Sequence, residues 1–422
     1  MSRHLLLNLI LGAALLFSLA IDFSLTRKYG GVDLRDKVVG ARSLIAGRSM
    51  YFSPWRPGEP ERFADPMVPP GATMTRYTGT PFQSLVMAPL GALPFGAARL
   101  PWLVLQYALL LLTVVLARSA FAGTGWPGAL VAGIVLVALL ASTSWRLHVE
   151  RGQVYVIFAA LIAGLFWSLA KARHLLTGAL AAALVLFKPT YAFLLLPLVL
   201  RVNARMLIGA VAMVGASAAV FAIIPNGLLA WSEYLEAMRI WSTMPGLGAP
   251  PSTDPGAFAY PSLIEGLANL REHHAMEFEN GSIAAVLLAV VGLSLSGWLP
   301  WVAYGTVLLT GLLLLRRNAA RASAEHLLLL GFIAWTVLMM LLPTPRFDYQ
   351  LVHWVAPALL VVLGGQRRPF MLDAMLLVAA GLVVGAWSIL PVDILLAEGL
   401  LLVVCAWVLV ASGRQVAPKA AS

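Results

Sequence analysis

Long apolar runs separated by short polar segments recur along the whole chain. A helix needs about 20 mostly apolar residues to cross a hydrocarbon core of ~30 Å, and we interpret twelve runs as candidate membrane helices. The candidates lie at residues 5–25, 98–117, 126–143, 153–170, 175–187, 189–200, 206–224, 298–316, 325–342, 348–364, 371–389 and 392–411. This pattern predicts an all-α polytopic membrane protein with about 12 transmembrane helices.

The apolar stretch 175–200 is counted as two short passes because Lys188 and Pro189 interrupt it. As one helix it would place Lys188 near the bilayer centre, which costs about 2.5–3.5 kcal/mol. Two half-helices, each about 18–20 Å long, would instead place Lys188 at an apex that water reaches. We therefore predict a helix break at Lys188, although a lysine beside a proline kink could also extend its side chain to the interface.

Basic residues cluster in the short loops between these runs, and such loops usually face the cytoplasm. Seven clusters fall on one side if the chain crosses twelve times: Arg3; Arg118; Lys171 and Arg173; Arg201 and Arg205; Arg316, Arg317 and Arg321; Arg367 and Arg368; and Arg414 and Lys419. Both termini are then cytoplasmic. The extracytoplasmic side receives residues 26–97, 142–153, 188–190, 225–297 and 343–350.

The runs and loops divide the chain into four parts: the first span with a long outer loop (1–97), a group of core spans (98–224), a second long outer loop (225–297) and the C-terminal spans (298–422). Transporters usually bury polar residues near the membrane midplane, between internal repeats. Here polar residues gather at one face and no internal repeat is evident. This distribution favours an enzyme that works at the outer surface.

Composition excludes several classes of protein. Hydrophobic residues make up 60% of the chain and charged residues 11%, which excludes an ordinary soluble domain. The net charge of +10 is attributed to membrane topology and anionic ligands rather than to nucleic acid. A single cysteine, Cys405, excludes a disulfide framework, and His273-His274 has no third ligand at metal spacing, so no metal site is predicted. The Arg-rich and Ala-rich composition favours a bacterial cytoplasmic (inner) membrane.

Residues 33–47 follow the first span and form an amphipathic pattern. Four apolar residues share one helical face: Leu34, Val38, Ala41 and Ile45. Asp33 is the predicted N-cap, under the positive end of the helix dipole, and Gly47 is the predicted C′ residue. The pattern predicts a short helix on the outer membrane surface. On spacing alone, Asp33 could simply cap the helix and Asp36 could simply be solvated.

Six short motifs follow one another along the chain. They are DLRDKVVGARSLIAGRSMY (33–51), YTGTPFQSLVMAPLGALP (77–94), Gly152-Gln153, FKPT (187–190), NGS (280–282) and PTPRFDYQLVHW (343–354). Together and in this order they resemble glycosyltransferase family 87, membrane enzymes of the GT-C superfamily that use polyprenyl-phosphate sugars and include mycobacterial α-mannosyltransferases. The chain departs from the family where Thr-Gly-Thr stands in place of a first proline, and where the last motif carries Arg346, Tyr349 and Gln350.

The resemblance implies a GT-C-type bundle with extracytoplasmic juxtamembrane helices. It implies an enzyme that moves one sugar, with mannose as the first candidate, from a polyprenyl-phosphate donor to a hydroxyl of a glycolipid or glycan acceptor. It gives Asp33 the role of general base, which accepts the proton of the acceptor hydroxyl while polyprenyl phosphate leaves with inversion. No cofactor is implied, and the expected partners are the donor, the acceptor and membrane lipid.

Fixed cations are needed where the departing phosphate gains negative charge. Lys188 and Arg346 are the first candidates, and Arg146 and Arg151 are further candidates because a guanidinium matches two phosphate oxygens. The candidate contacts to sugar or acceptor are Asp36, Tyr77, Gln153, Asn280, Asp348, Tyr349, Gln350 and His353.

Several of these residues also have a structural interpretation. Arg346 could pair with Asp348, Gln153 could start a helix, Asn280 could be a cap, and His353 could be an ordinary buried histidine. Two other functions remain open, and the first would use the same outer cationic residues. A transporter or flippase of a lipid-linked sugar would need no carboxylate base, and an O-antigen ligase or polymerase usually depends on arginines and a histidine in a large late loop.

Overall fold

The computed structural model describes residues 3–29, 31–65, 68, 72–120, 133, 135–137, 139–243, 282–284, 287, 292–293, 295, 297–316, 324–342, 348–364 and 392–414. Two candidate site residues, Asn280 and Arg346, lie outside these described residues. So do the predicted span 371–389 and most of 126–143.

The described residues form helices and contain no β-strand. The main helices are α1 (Arg3–Tyr29), α2 (Val32–Ile45), α3 (Pro81–Gly91), α4 (Phe95–Ala120), α5 (Thr143–Arg151), α6 (Tyr155–Ala170), α7 (His174–Phe187), α8 (Ala204–Ile223), α9 (Leu229–Thr243), α10 (Leu299–Arg316), α11 (Ala324–Leu341), α12 (Val355–Gly364) and α13 (Val392–Arg414). Short helical turns cover Glu61–Phe63, Pro189–Tyr191, Ala192–Leu195, Leu196–Arg201 and Asp348–Trp354.

Four described helices, α4, α8, α10 and α11, are long and apolar enough to cross a membrane. The α5–α6 pair passes the same test as one unit, although it bends by 115° at its break. These helices confirm an all-helical membrane protein. The count of about 12 transmembrane helices stays a prediction, because the described residues supply four or five.

The chain breaks where the sequence predicts, at Lys188. Helix α7 ends at Phe187, and Lys188 has an extended backbone with φ −153° and ψ 102°. Pro189 follows and starts a separate turn, because proline has no N–H with which to continue the helix. Both α7 and the 189–201 segment are shorter than a full membrane span.

Helix α11 forms the centre of the bundle. In its most apolar stretch 72% of the residues are buried, against 22–39% in α4, α8 and α10. It packs against α10, α13 and the 189–201 segment. Gly331 allows this last contact, because a Cβ atom at that position would overlap the carbonyl of Leu194. A small residue at a helix interface lets the backbones approach closely, as in other membrane bundles.

Helix α2 differs from its prediction at its N-terminus. It begins at Val32, and its N-cap is Gly31 in the left-handed region (φ 63°), with no side-chain cap. The prediction that Asp33 is the N-cap is therefore wrong: Asp33 lies in the first turn and its carboxylate is used elsewhere. The predicted role of Gly47 is confirmed, because it has φ 66° and the N–H of Arg48 bonds the carbonyl of Ser43 across the helix end.

Helix α2 is also more enclosed than its pattern predicts. Leu34, Val38 and Ala41 are buried as expected, but Leu44 completes their face and Ile45 is 51% exposed. Lys37, on another face, is buried as well. The helix packs on α3 and contacts α4 and α5, so protein surrounds much of it. Packing within the protein therefore holds the helix on more than its one predicted apolar face.

Candidate active site around Asp33

The turn between α5 and α6 fixes the position of the site. Helix α5 ends at Arg151, and the next residue, Gly152, caps it with φ 72°. A Cβ atom at Gly152 would overlap the Cβ of Leu34, so the first turn of α2 packs directly on this turn. Only glycine combines the left-handed backbone with that close approach. As a result Asp33, the neighbour of Leu34, faces Gln153, the neighbour of Gly152.

Asp33 has one carboxylate oxygen held by the protein. Its Oδ2 accepts a hydrogen bond from Gln153 Nε2 at 2.5 Å, and Arg151 Nη1 lies 3.9 Å away. Both partners are 7% exposed, whereas 14% of the Asp33 side chain is exposed. Within the described part of the chain, Oδ1 accepts no hydrogen bond. The arrangement orients a carboxylate and leaves one oxygen available to accept a proton.

Lys37 links Asp33 to a second carboxylate. Its Nζ donates to the main-chain carbonyl of Asp33 and lies 3.3 Å from Asp36 Oδ1. Burial raises the pKa of Asp36 to about 7, against the attraction of Lys37, and the nearby Asp33 and Asp65 carboxylates add to the rise. The raised pKa therefore lets Asp36 exchange a proton near neutral pH.

Asp36 lines a cleft between α2 and the chain that follows it. Trp55, Asp65 and Arg76 line this shallow cleft together with Tyr77, and its interior has room for about one water molecule. Charged, hydroxyl and aromatic groups are the usual lining of a polar ligand site. The structure thus places Asp36 beside the Asp33 site but facing a separate space.

A row of aromatic and cationic side chains runs from Asp33 to Lys188. The Arg151 guanidinium lies over the Tyr349 ring at 5.5 Å, and the rings of Tyr349 and Tyr155 are 5.7 Å apart. Lys188 Nζ lies 3.3 Å from the Tyr155 hydroxyl and 5.1 Å from its ring centre. The structure therefore connects Lys188 with Arg151 and Asp33, which are distant in sequence.

The Asp348–Trp354 turn closes this row from the C-terminal part of the chain. It packs on α5 and α6, and Tyr349, Gln350 and His353 are all buried there. The His353 ring lies 5.2 Å from the Trp335 ring and 6.2 Å from the Tyr155 ring. Asp348 begins the turn. Three predicted site residues of the last motif thus meet the Asp33 region, surrounded by aromatic rings.

Tyr77 is a packing residue in this structure. It is 2% exposed, its hydroxyl donates to the Thr80 carbonyl at 3.1 Å, and Ser84 Oγ donates to it at 2.7 Å. Its ring lies against Gly40, where a Cβ atom would come within 3.0 Å. Tyr77 therefore fixes α3 against α2, and it also lines the cleft of Asp36.

Arg146 has a partner of its own, away from the Asp33 group. Its Nη1 bonds a carboxylate oxygen of the fully buried Asp22 and donates to the Ser18 carbonyl at 3.1 Å. Asp22 Oδ2 also accepts from the Tyr107 hydroxyl at 2.6 Å and the Trp145 indole at 2.7 Å. This network ties α5 to α1 and α4. It gives Arg146 a structural task, and we do not include it in the phosphate site.

Sequence reasoning missed His148, which supports the turn. The fully buried imidazole accepts the N–H of Val156 at 3.2 Å through Nε2 and stacks on Trp145 at 5.5 Å. It thereby joins the end of α5 to the start of α6, on either side of Gln153. The i, i+3 spacing of Trp145 and His148 was the available signal, but it does not reveal a bond to the next helix.

One comparison with known proteins identifies the family. The model of glycosyltransferase family 87 matches residues 77–345, well over half of the chain. This chain belongs to glycosyltransferase family 87. The family 87 match includes Arg151, Gln153 and Lys188 but begins after Asp33. No curated protein and no solved structure matches the chain.

Family membership makes this chain a membrane glycosyltransferase, and confirms the resemblance seen in the motifs. A glycosyltransferase needs a sugar donor and an acceptor. Among the described residues, no group of three His, Cys, Asp or Glu side chains is placed to hold a metal ion.

Proposed function

We propose that this family 87 enzyme transfers a single sugar, with mannose as the first candidate, from a polyprenyl-phosphate donor to an acceptor hydroxyl. The acceptor would be a glycolipid or a glycan. The observation that supports this proposal is the Asp33 carboxylate, which Gln153 holds through one oxygen beside the cationic row of Arg151 and Lys188.

In the proposed reaction Asp33 is the general base. The acceptor oxygen forms a bond to the anomeric carbon, the bond from that carbon to the phosphate oxygen breaks, and the hydroxyl proton passes to Asp33 Oδ1. A positioned base contributes about 10²–10⁴-fold to such a step. A single displacement inverts the anomeric centre, because nucleophile and leaving group lie on opposite sides of it.

The leaving polyprenyl phosphate gains negative charge, which Lys188 and Arg151 are placed to stabilise. Arg151 offers a planar pair of donors and Lys188 a compact charge, and Tyr155 and Tyr349 lie between them. Arg346, in the same motif as Tyr349, is proposed to join them. Electrostatic stabilisation of this kind is effective where protein excludes water.

The sugar and acceptor contacts are proposed from the same neighbourhood. Gln350 and His353 are buried near the aromatic row, where they would meet the donor sugar. Asn280 and Asp348 are also proposed as contacts, because they belong to the motifs that resemble family 87. Asp36, which lines a shallow cleft of its own, is proposed to contact the acceptor.

The proposed setting is a bacterial cytoplasmic membrane with the site on the outer side and both termini in the cytoplasm. The clusters of basic residues in short loops support this orientation. A polyprenyl-phosphate donor would then approach from within the bilayer while the acceptor enters from the aqueous side.

The test is consumption of donor by the purified protein in lipid nanodiscs. Polyprenyl phosphates that carry mannose, glucose or arabinofuranose are supplied with a mixture of acceptors, and released polyprenyl phosphate is measured. We expect release with one donor. Lys188→Ala should abolish it, whereas Lys171→Ala, an exposed lysine at the end of α6, should not. Donor that crosses a vesicle membrane intact, with no release in any mixture, would contradict the proposal and favour a flippase.

A further inference from the structure

Tyr155 is one of the more accessible side chains in the row that joins Asp33 to Lys188. Tyr155 and Lys188 are half-buried, whereas Arg151, Tyr349 and His353 are buried. Of these five side chains, Tyr155 and Lys188 are therefore the two that a ligand reaches most easily. Their polar atoms decide which chemical groups can bind at this end of the row.

The contact between Tyr155 and Lys188 fixes the direction of their hydrogen bond. Lys188 Nζ lies 3.3 Å from the Tyr155 hydroxyl. An ammonium group can only donate, so the hydroxyl oxygen is the acceptor. The hydroxyl hydrogen has to be donated elsewhere, and it is donated to no residue that the structure describes. Tyr155 therefore offers a free O–H, and the cation on its oxygen polarises this O–H and makes it a stronger donor.

Negative charge is missing around this pair. Within the described part of the chain, no carboxylate pairs with Lys188, whose Nζ contacts the hydroxyl and the ring of Tyr155. An ammonium has three N–H groups, and the contact with Tyr155 uses one of them. Tyr155 is also the first residue of α6, at the end of the helix where the helix dipole favours an anion. The ammonium, the free O–H and the helix end thus all favour negative charge in the same place.

The hydrogen-bonding groups of this pair favour a phosphate over a sugar hydroxyl. A sugar hydroxyl both donates and accepts, whereas the oxygens of an ionised phosphate ester accept. Tyr155 and Lys188 present neighbouring donors, and the oxygen of Tyr155 already accepts from Lys188. Two adjacent donors of this kind match two oxygens of one phosphate group, and hydrogen bonds to a charged acceptor are the strong ones.

We propose that Tyr155 binds the phosphate of the polyprenyl-phosphate donor by donating its hydroxyl hydrogen to a non-bridging oxygen, beside the ammonium of Lys188. The inference rests on the proposed function, which supplies the phosphate. The hydroxyl keeps its proton throughout the reaction. As the bond from the anomeric carbon to the phosphate oxygen breaks, charge grows on the phosphate and the hydrogen bond strengthens. Tyr155 is then a substrate contact and more than a packing neighbour of Tyr349.

Binding that needs no turnover tests this inference. Native mass spectrometry of the full-length protein in detergent gives its affinity for decaprenyl phosphate and for decaprenol, which lacks the phosphate. Tyr155→Phe keeps the ring and removes the O–H. We expect this variant to weaken decaprenyl phosphate binding about tenfold or more, as the loss of a hydrogen bond to a charged group does, and to leave decaprenol binding unchanged.

Tyr304→Phe is the matched control. The Tyr304 hydroxyl donates to the Phe193 carbonyl at 2.7 Å, so its bond is made within the protein. Removing this hydroxyl should leave the affinity for decaprenyl phosphate unchanged. Tm values of both variants, measured in the same detergent, show that each is folded.

A double variant separates a contact to phosphate from a role in holding Lys188. If Tyr155 acted through Lys188 alone, Tyr155→Phe would cost nothing once Lys188→Met has removed the ammonium. We expect a further loss of affinity in the double variant, and its absence would overturn the inference. Unchanged binding in Tyr155→Phe beside weakened binding in Lys188→Met would also overturn it, while the proposed function stands. Equal affinity of the native protein for the phosphate and the alcohol would contradict both.

Discussion

At the residue scale, the two oxygens of the Asp33 carboxylate have different surroundings. Oδ2 accepts from Gln153 and lies near Arg151, whereas Oδ1 accepts no hydrogen bond from the described residues. The main-chain carbonyl of Asp33 accepts from Lys37 as well, which fixes the first turn of α2. A general base needs such a fixed geometry, since proton transfer requires hydrogen-bond reach to the reacting hydroxyl.

Replacing Gln153 by glutamate changes the charge next to Asp33. Two carboxylates at this distance hold one proton between them, so the pKa of the pair rises. We expect the rising limb of the pH profile of kcat/KM to move to higher pH by about 1 unit or more. Gln153→Leu is the matched variant: it removes the donor without adding charge, so it should lower kcat without this shift. An unchanged pH profile in Gln153→Glu would contradict the contact between residue 153 and the Asp33 carboxylate.

Asp36 should make the stability of the protein depend on pH. Its pKa is about 7 in the folded protein, above the ordinary value of 3.8 that it has when exposed. Between these values the folded state keeps a proton that the unfolded chain has lost, so stability falls as the pH rises through this range. Asp36→Asn cannot titrate.

Thermal unfolding of the native protein and of Asp36→Asn, followed from pH 5 to pH 8 in one detergent, measures this effect. The Tm of the variant minus that of the native protein should increase as the pH rises. A difference that stays constant over this range would show that Asp36 has an ordinary pKa.

At the scale of elements, the site depends on the contact between α2 and the turn after α5. The pattern of apolar residues within a helix does not predict this contact, because the two segments are far apart in sequence. The contact depends on the backbone of Gly152. The sequence places Gly152-Gln153 in a motif, where Gln153 could either contact substrate or simply start a helix. In the structure the Gln153 side chain donates a hydrogen bond to Asp33, so Gln153 does more than start a helix.

Gly152→Ala should displace α2 and abolish activity. Alanine in the left-handed region costs about 1–2 kcal/mol, and here the new methyl group would also overlap Leu34. Gly58→Ala is the matched control, because Gly58 has φ 96° and nothing within 4 Å of an added Cβ atom. Its activity should stay near that of the native protein despite a lower Tm. Equal activity in both variants would contradict the proposed role of the contact.

The packing of α7 on α8 makes a second prediction at this scale. A Cβ atom at Gly178 would overlap the Met206 carbonyl, whereas at Gly215, also in α8, it would meet nothing within 4 Å. Glycine to alanine in an open helix position stabilises by about 1 kcal/mol. Gly215→Ala should therefore raise the Tm slightly and Gly178→Ala should lower it. A rise in both would mean that the two helices are not in backbone contact.

At the scale of the whole molecule, sequence analysis predicted the helical membrane fold, the break at Lys188 and the family. These properties depend on long apolar runs and local motifs, which can be recognised in a single sequence. The same patterns place Gly47 at the end of α2, since glycine tolerates the left-handed backbone needed there.

Contacts between distant segments could not be predicted in this way. Asp22 lies in α1 and Arg146 in α5, and the residues around them in sequence do not indicate that the two form a salt bridge. In the sequence Arg146 is therefore indistinguishable from an arginine that binds phosphate. Likewise the buried Lys37 departs from the expected polar face of α2, because it has carboxyl and carbonyl partners inside the protein.

The central claim is that Asp33 is the base in sugar transfer. The most direct measurement is the single-turnover rate of polyprenyl phosphate release by Asp33→Asn, beside the native protein and Glu236→Gln, an exposed carboxylate of α9. Asparagine keeps the shape and can still accept from Gln153, so donor affinity should be retained. We expect the rate to fall by about 10²-fold or more in Asp33→Asn alone. A rate within a few-fold of the native value would contradict the claim.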